Sequence, residues 1–128
     1  MTTQPFTSTG DTYNVNNVST RISASLNPAV PTGKLLIVEH ISGWVAVRDG
    51  DVVDLIHADA ENQQEVYLPE HFASRPLNFG GQLGVARMHQ FGSPCRLYVS
   101  ASQNIQVIAD ANSAGVLDAT AIGYLVDA

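Results

Sequence analysis

The sequence predicts an all-β protein, and three observations point to this class. Short runs rich in Val, Ile, Leu and Tyr recur at intervals of about a dozen residues from residue 21 onward. Clusters of Gly, Pro, Asn and Asp separate these runs. No stretch keeps the period of an amphipathic helix over about three turns. We therefore predict a two-sheet antiparallel β-sandwich of about eight strands, with a jelly roll as the leading arrangement and an immunoglobulin-type sandwich second.

The chain divides into two unequal parts. With 128 residues it has the length of one domain. Residues 1–20 are rich in Thr, Asn and Ser and poor in large apolar side chains. We predict that they form a polar N-terminal arm, disordered alone or ordered against a neighbouring subunit. Residues 21–128 are predicted to form a single β-sandwich domain.

Turn signals predict how the strands connect. Arg48–Asp51 carries the Asp-Gly signal of a tight hairpin turn, and residues 96–101 with 105–111 resemble a second hairpin. We expect further interruptions at residues 42–43 (a bend or bulge), 58–64 (one short helical turn), 70–82 (the longest connection) and 92–94 (a turn).

Charge and hydropathy exclude two classes of partner. The net charge is −6, and the six basic residues are scattered along the chain. They provide no patch for phosphates, so we expect no nucleic-acid partner. No run approaches the ~20 apolar residues of a membrane span, so we expect no membrane partner. Residues 1–17 lack the basic and apolar regions of a signal peptide. We expect a cytoplasmic protein or a component of a larger assembly.

The composition predicts self-association. Charged residues make up 14% of the chain, against about 25% in an average domain. Neutral hydroxyls and amides cost less to bury than ions. In the central run, Leu36 and Val38 alternate with Ile37 and Ile41, so apolar side chains occupy both faces of one strand. The outer face needs a cover, and we expect a homo-oligomer with closed symmetry.

Two segments resemble known families. Residues 31–40 (PTGKLLIVEH) and 123–126 (GYLV) resemble small bacterial all-β proteins. The second segment also resembles the last strand of the trimeric jelly rolls of the C1q and tumour-necrosis-factor type. The resemblance implies a sandwich that self-associates, with a trimer favoured, and a bacterial or phage source. It implies nothing about a ligand.

Metal-ligating side chains occur without the spacing of a known metal site. The four histidines, His40, His57, His71 and His89, contain no His-x-His pair of the cupin type. A small metal-dependent cupin-like enzyme is therefore the second alternative function. The acidic residues Asp49, Asp51 and Asp54 are weak candidates for calcium, but an Asp-Gly turn favours Asp for backbone reasons. We predict no metal and no cofactor.

The longest connection supplies the candidate ligand site. Long loops on a rigid sandwich commonly carry binding residues. The side chains in this connection that suit a ligand are His71, Phe72, Arg75, Asn78 and Phe79. The chain has no G-x-S-x-G motif. Arg96 could lower the thiol pKa of the single cysteine, Cys95, but a half-buried packing cysteine is the commoner case, and we expect that role. We therefore expect a non-enzymatic structural or binding module, with a lectin-like carbohydrate-binding domain as the first alternative.

Overall fold

A computed structural model describes residues 3–14, 21–61, 64–112 and 115–128, and these residues form ten strands and no helix. The strands are β1 (Gln4–Asn14), β2 (Arg21–Ser25), β3 (Lys34–Arg48), β4 (Val53–Ala60), β5 (Glu65–Tyr67), β6 (Glu70–Ala73), β7 (Leu77–Asn78), β8 (Val85–Ser100), β9 (Ile105–Ala111) and β10 (Gly115–Asp127). In the part of the chain that is described, no helix has the length and apolar character to cross a bilayer.

The strands form two antiparallel sheets that pack face to face, which confirms the predicted sandwich. The larger sheet has the order β1-β10-β3-β8-β6, with β7 also pairing with β8, and the smaller has the order β2-β9-β4-β5. Apart from β6 and β7, the strands pair from the two ends of the chain inward: β1 with β10, β2 with β9, β3 with β8, and β4 with β5. A long hairpin folded over on itself gives this pairing, which is the jelly-roll arrangement.

Both predicted hairpins are wrong, because their strands lie in different sheets. β3 belongs to the larger sheet and β4 to the smaller one. The Asp51 N–H does donate to the Arg48 carbonyl at 2.9 Å, so the tight turn exists, but it joins the two sheets. A tight turn, in which the Gln103 N–H donates to the Ser100 carbonyl, likewise joins β8 in the larger sheet to β9 in the smaller one. A local turn signal is the same whether the next strand pairs back or crosses over.

All four predicted interruptions differ from the structure. Residues 42–43 pair in regular register with both β10 and β8, so they are neither a bend nor a bulge. Residues 92–94 are not a turn, since β8 runs without a break from Val85 to Ser100. Residues 58–60 continue β4 instead of starting a helical turn, because Ala58 and Ala60 are buried on the inner face. Residues 70–82 contain the short strands β6 and β7, which add to the edge of β8.

An irregularity in β3 changes which side chains face the core. In the pairing of β3 with β10, the consecutive residues Gly123 and Ile122 oppose Val38 and His40, which leaves Glu39 as an extra residue on β3. Val38 and Ile41 are therefore both fully buried, although strict alternation places them on opposite faces. The sequence predicts that Ile41 shares a face with Ile37. This prediction is wrong, because the extra residue reverses the alternation after Val38 and turns Ile41 toward the core.

The core lies between the two sheets. Aliphatic side chains dominate it, and the members drawn from both inner faces are in contact as one cluster. The larger sheet contributes Leu36, Val38, Ile41, Val45, Val47, Phe91, Leu97, Val99, Leu117 and Leu125, and the smaller contributes Ile22, Ala24, Ile56, Ala58, Val107 and Ala109.

The N-terminal segment forms an edge strand of this sandwich. β1 pairs with β10 from Gln4 to Asn14. Thr9 and Asn27 exchange backbone hydrogen bonds of 2.7 and 2.8 Å, so β1 also touches the end of β2. Gly10 permits this approach, since a Cβ there would lie 2.4 Å from the Ser25 carbonyl oxygen. The structure thus places residues 4–14 in the sandwich, where the sequence predicts an arm; residues 1, 2 and 15–20 of that arm lie outside the described residues.

Candidate functional site

A row of apolar side chains crosses the outer face of the larger sheet. Directly paired residues in an antiparallel sheet project from the same face. Tyr124 on β10 pairs with Ile37 on β3, and Ile37 pairs with Tyr98 on β8. Their sequence neighbours Leu36, Leu97 and Leu125 are buried in the core. Tyr124, Ile37 and Tyr98 therefore point away from the core, side by side on three adjacent strands.

Two further residues extend this row into a patch. Leu35, paired with Val126, lies one row toward the start of β3, and Ile122 lies one row toward its middle. Tyr98 is 42% exposed and Ile122 is 47% exposed. We call Leu35, Ile37, Tyr98, Ile122 and Tyr124 the outer patch. From strand spacing and rise, it covers on the order of 300 Å².

Opposite charges lie beside the outer patch. A side-chain hydrogen bond with Tyr98, with Tyr124 and Glu39 nearby, holds the pKa of Arg96 above its ordinary value. Glu39, the extra residue of the β3 irregularity, is exposed. It lines an open depression of about 450 Å³ together with Pro5 and Tyr124. The patch thus has a cation, an anion and a hollow at its margin.

The opposite end of the same outer face is covered by the chain itself. Leu83, in the turn between β7 and β8, is 1% exposed and packs with Ala46 and Ala86, both fully buried. Trp44 and Val116 are partly buried against them. Arg48 Nη2 donates to the Gln82 carbonyl at 2.9 Å and helps to hold this turn in place. Trp44 therefore packs in a small cluster outside the main core.

The candidate ligand residues of the long connection lie along a sheet edge. Phe72 on β6 pairs with Gln90, whereas Asn78 on β7 pairs with Val85, which separates them by about 17 Å along β8. His71 Nε2 lies 2.5 Å from the Gly92 carbonyl oxygen. Asn78 Oδ1 accepts a hydrogen bond from the Gly80 N–H. Arg75 and Phe79 are exposed. These residues are spread along an edge instead of facing one cavity.

Asp49 and two of the histidines contact other side chains. Asp49 forms an ion pair of 2.7 Å with Arg87. Asp51 and Asp54 are on separate elements, the turn and β4. His89 Nδ1 contacts Glu70 Oε1, and His57 Nε2 lies 3.9 Å from Glu65 Oε1. Across residues 3–14, 21–61, 64–112 and 115–128, no three His, Cys, Asp or Glu side chains are placed to hold a metal ion.

Cys95 has the environment of a packing residue. Its side chain is partly buried against the core cluster, and burial raises the pKa of its thiol. A raised pKa reduces the thiolate fraction that a nucleophile needs. The neighbouring Arg96 side chain bonds to Tyr98.

Comparisons with protein-family models, curated proteins and solved structures gave no match. Function must therefore be inferred from the surfaces of this chain. The outer patch is the largest feature that the sequence reasoning missed as a site. The apolar residues on both faces of β3 were a signal for it, but Tyr98 and Tyr124 join Ile37 only through strand pairing.

Proposed function

We propose that the protein is a non-enzymatic structural or binding module that self-associates through the outer patch. The observation that supports this most directly is the row of Tyr124, Ile37 and Tyr98 on a sheet face whose other end is covered. Exposed apolar patches of a few hundred Å² on a soluble domain commonly mark interaction sites. An interface of standard size buries about 800 Å² on each partner. The outer patch has the size of the apolar centre of such an interface.

A second copy of this chain suits the patch better than an unrelated partner. Arg96 and Glu39 both border it, so two copies can bring unlike charges together in a heterologous contact. Neighbouring polar residues on the outer face include the uncharged Thr7, Thr9, Ser42 and Thr120, together with His40, which pairs with Ile122. Such a rim costs little to desolvate.

A closed trimer is the arrangement we favour. A heterologous contact generates a ring when its rotation closes. Tyr124, a residue of the outer patch, belongs to the GYLV segment that resembles the closing strand of trimeric jelly rolls. Such a ring acts as a building block alone or within a larger assembly.

Sedimentation equilibrium at micromolar concentration tests this proposal. We expect a mass about three times the 13.7 kDa of one chain. Ile122→Lys places a charge in the patch and should give monomers. Val85→Lys is the matched control, because Val85 is 52% exposed on the same sheet but lies outside the patch. It should leave the mass unchanged.

The outcomes separate the parts of the proposal. A wild-type monomer at every concentration would overturn self-association. A dimer or larger ring that Ile122→Lys dissociates would keep the surface and overturn the trimer. An unchanged mass for Ile122→Lys would show that the outer patch is not the interface.

A further inference from the structure

A depression on the smaller sheet lies where β5 stops short of the length of β4. β5 pairs with β4 only at His57, Ala58 and Asp59. The chain then leaves the smaller sheet at Leu68 and Pro69, after the Leu68 N–H donates to the Ile56 carbonyl at 2.8 Å. The part of β4 from Val53 to Ile56 is left beside an open depression of about 270 Å³.

One wall of this depression carries an exposed aromatic residue. Tyr67 is 61% exposed and pairs with His57 on the outer face of the smaller sheet. The two ring centres lie 6.3 Å apart with planes tilted by 57°. His57 is itself buried. The imidazole therefore packs against one side of the phenol ring and leaves the rest of the ring open to solvent.

Two carboxylate residues share the lining with apolar side chains. Asp54 and Glu70 line the depression together with Val53, Leu55 and Pro69. The β4–β9 pairing shifts register between Val53 and Leu55, so Asp54 is the extra residue of a bulge. Bulges commonly re-aim a side chain next to a functional site. A bulge also hinders the addition of another strand to this edge, which argues against an extended peptide as the occupant.

The chemistry of this lining suits an uncharged, hydroxyl-rich ligand. None of the six Lys and Arg residues contributes to the lining, so it does not favour an anionic ligand. Carboxylates accept hydrogen bonds from hydroxyls, and the C–H face of a pyranose ring is apolar enough to stack on an aromatic ring. The volume lies below the about 300–1,000 Å³ of sites for drug-sized ligands, which fits a single sugar ring.

We propose that this depression binds one neutral pyranose residue. Tyr67 stacks on the apolar face of the sugar. Asp54 accepts hydrogen bonds from its hydroxyls, and Glu70, whose Oε1 contacts His89, accepts through Oε2. The site lies at the edge of the smaller sheet, with Glu70 contributed by β6 of the larger sheet, and it shares no residue with the outer patch. It therefore functions in a single chain and in an assembly alike.

Amide chemical shifts of the 15N-labelled full chain test the proposal. The probes are the methyl pyranosides of glucose, galactose, mannose and N-acetylglucosamine, each titrated to about 50 mM because single-ring affinities fall in the millimolar range. At least one should cause saturable shifts at residues 53–56, 67 and 70. No saturable shift at these residues with any of them would overturn the proposal. Tetramethylammonium is the competing probe, and shifts with this cation alone would also overturn it.

Matched variants identify the contacts. Tyr67→Ala should weaken binding roughly tenfold, since an aromatic stacking contact is lost, whereas Tyr67→Phe should retain it. Phe72→Ala is the control, because Phe72 is 57% exposed but is not part of the lining. Asp54→Asn should weaken binding without changing the shifts of distant amides. Equal affinities of wild type, Tyr67→Ala and Asp54→Asn would show that these residues do not form the site.

Discussion

The two ends of the larger sheet's outer face both carry apolar side chains, but the chain itself covers these side chains at one end only. At one end, Leu83 comes from the β7–β8 turn and buries Ala46 and Ala86 completely. At the other end, Tyr98 and Ile122 remain 42% and 47% exposed. Both ends carry apolar side chains on a face that is polar in an isolated sandwich. The difference indicates that the covered end serves stability, whereas the open end is available for another molecule.

Gly43 lies on β3 between the two ends, and its substitution should have the largest effect. A Cβ there would lie 2.1 Å from the Asp118 carbonyl oxygen and 2.9 Å from Phe91 Cζ. The backbones of β3 and β10 must then move apart. We expect Gly43→Ala to lower the free energy of unfolding by about 3 kcal/mol or more. Urea denaturation measures this loss. A loss below about 1 kcal/mol would mean that the strands are not this close.

Leu83→Ala tests the packing of the covered end, because it removes the side chain that covers Ala46 and Ala86. It removes most of a fully buried side chain from a small cluster. We expect a loss of about 2 kcal/mol in unfolding free energy, at the low end for such substitutions because the turn can relax. Phe79→Ala in the same turn is the control, with Phe79 37% exposed. Leu83→Ala should leave the subunit number unchanged, and a parallel loss of assembly would erase the distinction between the two ends.

The strands could be predicted from the sequence far better than their partners. Val, Ile and Tyr runs indicate β3, β8, β9 and β10, since extended structure is favoured locally. Pairing depends on which sheet a strand joins, and no local signal records that. Pro94 illustrates the limit: it predicts a turn, but it lies beside a register shift in β8, where a missing N–H is tolerated.

The candidate sites depended even more on pairing. The outer patch joins residues of β3, β8 and β10, which are distant in sequence, whereas the depression beside Tyr67 joins β4 to the strands that follow it directly. The sequence predicts a ligand site within residues 71–79 because these residues are close along the chain. It also predicts the apolar excess on β3, including Ile37, because period-two alternation places those residues on opposite faces of a single strand.

Ile122→Ala, at the open end, should have the opposite pair of effects to Leu83→Ala. It should leave the unfolding free energy nearly unchanged and weaken the association of subunits. The exposed position predicts a change within about 0.5 kcal/mol in the unfolding free energy of the monomer. In the proposed assembly the same side chain is buried, so association should weaken roughly tenfold. Dilution experiments by mass photometry or sedimentation measure the association. Unchanged association together with unchanged stability would leave Ile122 without a role.

The smallest effect concerns the ion pair that borders the open end. Lys34 Nζ lies 2.6 Å from Asp127 Oδ1, next to the Leu35–Val126 row. Its hydrogen bond holds the pKa of Asp127 below the ordinary value. A lowered folded-state pKa means that the pair stabilises the fold above the ordinary Asp pKa, and that this stabilisation is lost as the pH falls through the folded-state value. Asp127→Asn should therefore lower the melting temperature slightly at about pH 7 and leave it unchanged at about pH 2. Because both groups are exposed, added salt should shrink the difference at neutral pH. A difference in melting temperature that persists in acid would show that Asp127 stabilises the fold through packing. The charge of this ion pair would then contribute nothing to the stability of the protein.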